Sequence, residues 1–334
     1  MAGDGKKPRE RRERTRLSSL ATKSPLAGTT VLDRYVIEDE LGAGAMGSVY
    51  RGRHTKLKRA VAIKIMHEHL AGEAMLLERF WREAKAAGKL AHPNVVAVLD
   101  VGELADGKQV MVMEYAEGKP LGESMTGPLP VPRILSIIEQ LLRGLEHAHG
   151  EGLVHRDLKP DNVIVQTTAD GTEVARIVDF GIAVLRSPEG PDEQRRLTAT
   201  GMIIGTPQYM APEQARAEPV DHRADLYALG VSMYEMLSGV TPFDGTAMEI
   251  AVQKSEHEVP PIEERAAGVA VDRVLAAYVR LLVARDRDQR MPSAHRALEL
   301  IEMYKRDRME AAAHLGVIDV ERALAIVSLP LPPR

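Results

Sequence analysis

His155-Arg156-Asp157-Leu158-Lys159-Pro160-Asp161-Asn162 gathers a base, two cations and a neutral amide into eight residues. Pro160 bars a helix there, and the β-rich run Asn162 to Gln166 follows, so the stretch reads as a loop entering a strand. A second β run, Val174 to Val178, lies beyond Ala169-Asp170-Gly171-Thr172, a turn signal that supplies the positive-φ positions a hairpin favours. The hairpin returns the chain to Asp179-Phe180-Gly181. Asp, Asn and Lys also crowd ordinary turns, and an Asp and Asn five positions apart carry little weight alone.

Upstream, Tyr35 to about Glu114 alternates as short β runs at Val49-Tyr50, Ala60 to Ile65, Val95 to Val101 and Val110 to Glu114. One amphipathic helical stretch, Glu73 to Leu90, interrupts them. Gly42-Ala43-Gly44-Ala45-Met46-Gly47-Ser48-Val49 lies between two strands, which argues against the strand-then-helix context of a dinucleotide fingerprint. Glycines there let backbone N–H groups approach phosphate oxygens, although a plain glycine-rich turn reads the same way. In the apolar strand Val61-Ala62-Ile63-Lys64 a lone lysine needs anionic partners. Nucleotide phosphates and Glu83, in the helical stretch, are suitable ones; a solvated edge lysine and a surface glutamate are the alternative when either is taken alone. Downstream of the Gly- and Pro-rich segment from Gly118 to Pro130, helical patterns dominate: Pro132 to Gly150, Asp221 to Ser238, Thr246 to Ser255, Val271 to Arg285 and Ser293 to Arg308. No internal repeat is present at solenoid periods.

Taken with Asp179-Phe180-Gly181 and Ala211-Pro212-Glu213, the opening stretch resembles the eukaryotic-type (Hanks-type) serine/threonine protein kinase family, and its motifs run in family order from about residue 35 to about residue 302. The wording His92-Pro93-Asn94-Val95-Val96 and Gly205-Thr206-Pro207-Gln208-Tyr209-Met210 is most similar to the bacterial branch. The resemblance implies an α+β, bilobal protein kinase fold, with a small β-rich N-lobe bearing one main helix (31–116) and a larger, mostly helical C-lobe (117–302). It implies transfer of the γ-phosphate of ATP, with Mg2+, to Ser/Thr hydroxyls of proteins. Asp157 then accepts the hydroxyl proton, Lys159 neutralises charge on the moving group, and Asn162 and Asp179 are the metal ligands. Lys64 paired with Glu83 holds the phosphates, Gly42, Gly44 and Gly47 cradle them, and Thr206 bridges Asp157 and Lys159. Leu41, Val49, Ala62 and Ile164 sandwich the adenine, the backbone of Glu114 and Ala116 bonds its edge, and Met113 is the gatekeeper. Lys159 and Gly205-Thr206 match the serine/threonine branch. Arg156 is placed to dock an activation-loop phosphate on Thr198 or Thr200, both expected to be autophosphorylated, with a homodimer as the vehicle for transfer in trans. Glu213 and Arg290 match the family's structural ion pair, and Asp225 the residue that holds the catalytic loop's backbone.

Composition bounds the remaining choices. The chain of 334 residues is 44% hydrophobic, enough to fill two lobes, and carries a net charge of only −4. Zero cysteines exclude disulfides, thiolate metal sites and cysteine nucleophiles, and suggest a reducing, cytoplasmic setting. The longest apolar run, Tyr227 to Val240, contains Glu235 and is too short for a membrane span. Residues 1–30 read as a disordered basic arm, with Lys6, Lys7, Arg9, Arg11, Arg12, Arg14, Arg16 and Lys23 and no aromatic platform, so nucleic-acid binding is not expected. Residues 303–334 read as a C-terminal extension with a second helical pattern, Val317 to Val327, and a Pro-rich end, with packing on the large lobe favoured over partner binding. A pseudokinase scaffold that binds nucleotide without transfer is the alternative reading, set against the presence of Lys64, Glu83, Asp157, Asn162 and Asp179. A small-molecule phosphotransferase of similar fold would not normally need Ala211-Pro212-Glu213.

Overall fold

The computed structural model describes residues 25–44, 47–67, 74–180 and 206–318, leaving aside the side chains of 74–76 and 79. These fall into two units: a small one ending at 67 and resuming over Asp100–Tyr115, and a large one formed by Ala74–Leu99 and the residues from Ala116 onward.

The small unit is built on a six-stranded sheet of β1 (Thr30–Val31), β2 (Tyr35–Gly44), β3 (Gly47–His54), β4 (Ala60–Met66), β5 (Val98–Glu103) and β6 (Gln109–Glu114), in the order β1-β2-β3-β4-β6-β5. Period-2 alternation sorts its residues by face. Tyr35, Ile37, Tyr50, Val61, Ile63, Ile65, Val110 and Val112 form the apolar core. The opposite face carries the register partners Val49, Lys64 and Met111, and beside them Ala62 and Met113. The run expected from Val95 is displaced to Val98–Glu103. Val95 instead bridges Ile177 in parallel, Val96 N–H donates to the Ile177 carbonyl at 2.9 Å, and Ile177 N–H donates to the Asn94 carbonyl at 2.8 Å. Alternation reports a strand-like run but not which sheet edge it joins.

In the large unit the helix expected over Glu73 to Leu90 is α1 (Ala74–Ala87). It stops before Gly88, whose N–H still reaches the Ala84 carbonyl at 2.9 Å, as glycine disfavours further helix. β7 (Lys119–Pro120), α2 (Leu121–Ser124) and α3 (Val131–Gly150) follow, with a proline in the first turn of α3. Ile134, Ile137, Ile138, Leu141, Leu142 and Leu145 keep the i, i+3, i+4, i+7 spacing and form the buried stripe of α3. The expected hairpin is β8 (Val163–Thr167) and β9 (Glu173–Ile177), joined through Gly171 at φ +85° and paired with β7 as a three-stranded sheet. Asn162 belongs to a 3-10 turn just before β8.

Beyond α4 (Pro212–Ala215), α5 (Arg223–Ser238) is buried on every side from Ala224 to Ser238, which is why its sequence lacks an amphipathic stripe. A Cβ on Gly230 would stand 2.6 Å from Leu282 Cβ, so glycine is what lets α5 meet α8. α6 (Ala247–Glu256), α7 (Ile262–Arg265), α8 (Arg273–Leu282) and α9 (Ala294–Arg306) complete the core. The single helix expected over Ser293 to Arg308 breaks at Asp307, whose carboxylate accepts the N–H groups of Met309 and Glu310 and starts α10 (Arg308–His314). Ala311 and Ala312 pack on Val274, and Arg308 reaches Asp272 at 2.8 Å, so this part of the C-terminal extension is docked. The helix expected from Val317 does not begin there. Gly316 at φ +64° ends α10, Val317 folds back to the Ala312 carbonyl, and residues 319–327 lie outside the described residues. Among the described residues no helix is long and apolar enough to cross a membrane.

Buried ionisable groups mark the large core. The Arg290 guanidinium meets the Glu213 carboxylate through two bonds of 2.7 and 2.6 Å, and donates as well to the carbonyls of Ala284, Arg223 and Arg285. Lys254, 1% exposed, sets its Nζ 3.3 Å from the Tyr227 hydroxyl and 4.6 Å from the centre of that ring. The ring face favours a charged amine, but burial and then the like charge of Arg290 pull the Lys254 pKa well down, against a smaller upward pull from Glu213.

Arg290→Ala strands the Glu213 carboxylate in the core and should cost about 3–5 kcal/mol, read as a lower melting temperature and soluble yield. An unchanged melting temperature would contradict this. Lys254→Met should act oppositely and raise the melting temperature by about 2–4 °C at neutral pH. Below pH 10.5 the unfolded lysine binds a proton that the folded one resists, so wild-type stability climbs with pH and the variant's advantage shrinks toward that value. A variant that melts lower than wild type at pH 7 refutes this reading of Lys254.

Candidate active site

The loop from His155 to Asn162 hangs from one buried carboxylate. Asp225, fully buried in the first turn of α5, accepts the backbone N–H of His155 at Oδ2 and of Arg156 at Oδ1, each at 2.8 Å. Two successive N–H groups turned toward one carboxylate leave Arg156 at φ +64°, a left-handed conformation that a non-glycine residue adopts only when its surroundings impose it. Gln214 secures the other side of that residue, donating Nε2 to the Arg156 carbonyl at 2.7 Å while its Oε1 accepts the Ala211 N–H.

His155 fastens the loop to β9. Its Nε2 donates to the Val178 carbonyl at 2.8 Å and its Nδ1 accepts the Asp157 N–H at 3.2 Å, the pattern of the Nε2–H tautomer. The ring also stands edge-on to Phe180, with centroids 4.8 Å apart.

With the backbone so held, the polar side chains converge. Lys159 Nζ donates to Asp157 Oδ2 at 2.9 Å and to Thr206 Oγ1 at 3.2 Å, so one ammonium links the carboxylate and the hydroxyl. Asn162 Nδ2 donates to the Asp157 carbonyl at 2.8 Å, which leaves its Oδ1 as the acceptor of that amide. Val178 N–H bonds the Asn162 carbonyl at 3.0 Å, bringing Asp179 beside Asn162 across the end of the hairpin. Asp179 lies at φ +65°, a second non-glycine residue of this site in the left-handed region. An amide oxygen and a carboxylate on adjoining backbone form a hard, all-oxygen donor set that fits Mg2+ with phosphate or water completing its shell. Among the described residues the buried Arg156 Nε has no hydrogen-bond partner.

The remaining expected residues divide between the two units. Val49, Ala62, Lys64 and Met113 share one face of the small sheet, with Leu41 at the β-bulge of β2 and the Glu114 carboxylate bonded to Arg59. Lys64 is 8% exposed, buried for an ammonium. Ala116 and Ile164 belong to the large unit, Ile164 opposite Pro120 in the β7–β8 pair. Glu83 is on α1 of the large unit, where Arg82 donates to it at 3.3 Å. Gly42 and Gly44 lie along the β2–β3 hairpin, but Gly47 has a reason of its own: a Cβ there would stand 2.2 Å from the Ile65 carbonyl oxygen. Ala45, Met46, Gly181, Thr198, Thr200 and Gly205 lie outside the described residues, as does the basic segment through Lys23.

Gln214 was not expected at this site, and a Gln at the third position of a helix start was the available signal for it. His155 was expected only as part of the motif, because its two bonds depend on where β9 returns.

Comparison with known proteins places this geometry. The family model described as "Protein kinase domain" matches residues 35–300. The serine/threonine-protein kinase pkn3 of Myxococcus xanthus is 36% identical over 291 residues, covering 85% of this chain and 53% of that protein. Serine/threonine-protein kinase pkn2 of the same organism is 42% identical over 268 residues, covering 79% of this chain and 32% of its own length. The chain therefore spans about half or less of the length of these curated relatives. The crystal structure of the Mycobacterium tuberculosis PknI kinase domain superposes with a TM-score of 0.63 at 25% identity, covering 84% of this chain and 99% of that one. The chain belongs to the protein kinase family, on its bacterial, eukaryotic-type serine/threonine branch, and has the bilobal fold of that family.

Proposed function

We propose that this chain is an active serine/threonine protein kinase that moves the γ-phosphate of ATP to protein hydroxyls. The observation that carries the reading is the single network in which Asp157, Lys159, Thr206 and Asn162 are joined by bonds of 2.8–3.2 Å. A pseudokinase scaffold would have no use for a carboxylate and an ammonium held together at this spacing.

In the proposed reaction the substrate hydroxyl oxygen attacks the γ-phosphorus, the bond to the bridging oxygen of ADP breaks, and the hydroxyl proton passes to Asp157. The transition state is loose, so alignment and charge neutralisation supply most of the rate. Asp157 orients the attacking hydroxyl, and Lys159, already on its Oδ2, keeps the carboxylate in place while offering positive charge to the migrating group. Thr206 fixes that ammonium from its far side. Asn162 and Asp179 would hold Mg2+, which supplies charge neutralisation and a template for the phosphate oxygens. Lys64 is the proposed phosphate-binding cation, and the N–H groups around Gly42, Gly44 and Gly47 would close over the phosphate oxygens. On the small sheet Leu41, Val49, Ala62 and Met113 are the proposed adenine contacts, with the backbone at Glu114 proposed to read its edge. Need of ATP places the chain in the cytoplasm, and its partners are proteins bearing exposed Ser or Thr.

Arg156 is the proposed receptor for phosphate on Thr198 or Thr200, added in trans by a second copy. After incubation with ATP and Mg2+, mass spectrometry should find phosphate on at least one of these threonines; full activity with both unmodified refutes the proposal. Radiolabelled ATP with Mg2+ and myelin basic protein as acceptor tests transfer itself. Asp157→Asn should lower labelling about a hundredfold or more, whereas undiminished label assigns the chemistry elsewhere. A native chain whose melting temperature responds to ATP but which transfers no label would favour the scaffold.

A further inference from the structure

The segment from Thr206 into the start of α4 grips the catalytic loop at both of its ends. At the first, Thr206 Oγ1 accepts from the Lys159 ammonium at 3.2 Å. At the second, the half-buried Gln214 donates Nε2 to the Arg156 carbonyl at 2.7 Å and accepts the Ala211 N–H at Oε1, 3.0 Å away. Both ends of one amide are in use, so its oxygen and nitrogen are assigned by their partners.

The Arg156 carbonyl shares a peptide plane with the Asp157 N–H, and that N–H donates to His155 Nδ1 at 3.2 Å. The plane is therefore held by both of its polar groups, one from within the loop and one from α4. A peptide plane is rigid, and its tilt fixes ψ of Arg156 and φ of Asp157, and so the direction in which the Asp157 side chain leaves the backbone. Arg156 is at φ +64°, a conformation that persists only while its surroundings impose it. Gln214 is a firm anchor for this purpose, because its neighbour Glu213 is locked to the buried Arg290 by two bonds.

We propose that Gln214 is a positioning residue for phosphoryl transfer: its side-chain amide sets the peptide plane between Arg156 and Asp157, and with it the aim of the Asp157 carboxylate at the acceptor hydroxyl. The inference rests on the kinase reading above. It also means that one segment, through Thr206 and Gln214, sets Lys159 and Asp157 together.

Substitution by glutamate isolates the donor. A carboxylate at this position can still accept the Ala211 N–H, but it has nothing to give the Arg156 carbonyl; once protonated, it regains a donor. The other titratable groups along this run of contacts are His155, Asp225, and the Glu213–Arg290 pair. They are the same in Gln214→Met, which has the length of glutamine without its hydrogen bonds, so that variant is the control for their titration.

The test uses the full chain, with steady-state kinetics on myelin basic protein from about pH 5.5 to about pH 8.5, melting temperatures, and amide hydrogen exchange over residues 155–158. Gln214→Met should lower kcat about tenfold, by a similar factor at every pH, with KM for ATP changed less than about twofold. Gln214→Glu should lose at least as much in base, and its deficit against the native chain should shrink as pH falls, because the protonated form restores the bond. Exchange at the Asp157 amide should quicken relative to the native chain in Gln214→Met. A role in fold stability alone would lower both melting temperatures without splitting the two kcat profiles. If Gln214→Met does not fold, Gln214→Glu measured against the native chain across pH carries the test by itself. A native-like kcat for Gln214→Met, or a Gln214→Glu deficit that stays constant or deepens toward acid, overturns the proposal. A native chain that transfers no phosphate sinks the kinase reading instead; exchange at the Asp157 amide then decides the role of Gln214, with unchanged exchange in Gln214→Met, or in Gln214→Glu in base, overturning it.

Discussion

A carboxylate with no access to water governs the chemistry of this protein. Asp225 sits on a helix buried on all sides, and charge in such a place persists only where donors surround it. Two of those donors are backbone N–H groups of the very loop that carries Asp157 and Lys159, and His149 is a third. The cost of burying the charge thus becomes the rigidity of the loop: relaxing the left-handed turn at Arg156 would abandon a buried anion. Catalysis by alignment needs a loop that does not yield when a charged substrate arrives.

The same logic spreads outward from the loop. His155 ties it to Val178, between the end of β9 and Asp179, and Gln214 ties it to the helix start that bears Glu213. Glu213 is in turn locked to Arg290, whose remaining donors close three carbonyls around it. The proposed metal ligands, the proposed proton acceptor and the segment before α4 are therefore spaced by a set of buried and part-buried polar contacts. On the small sheet the arrangement is simpler. Strand alternation alone puts Val49, Ala62, Lys64 and Met113 on a shared face, with the apolar core behind them.

Much of this was legible in the residues. The hairpin between Asn162 and Asp179 followed from its turn residues, and the two-lobed class from motif order and from strands giving way to helices. What escaped prediction depended on partners that sequence does not name. Val95 looked like part of a strand in the small sheet but bridges β9, since a run of β-branched residues does not specify its neighbour. The break at Asp307 was hidden because its flanks are equally helical, and only the cap shows that the axis restarts. Gly47 read as a phosphate-loop glycine, while the close Ile65 carbonyl requires glycine there whatever binds nearby. The helix expected over Asp221 to Ser238 is present as α5, and it lacks an amphipathic stripe because no side of it meets solvent.

The central claim is that a backbone held by Asp225 presents Asn162 and Asp179 as a ready pair of metal ligands beside Asp157. A crystal structure of the chain with Mg2+ and a non-hydrolysable ATP analogue tests it most directly. The account predicts a cation about 2.1 Å from Asn162 Oδ1 and from an Asp179 carboxylate oxygen, with the loop bonds to Asp225 intact. A cation held by other residues, or a loop detached from Asp225 when the nucleotide is bound, would contradict it.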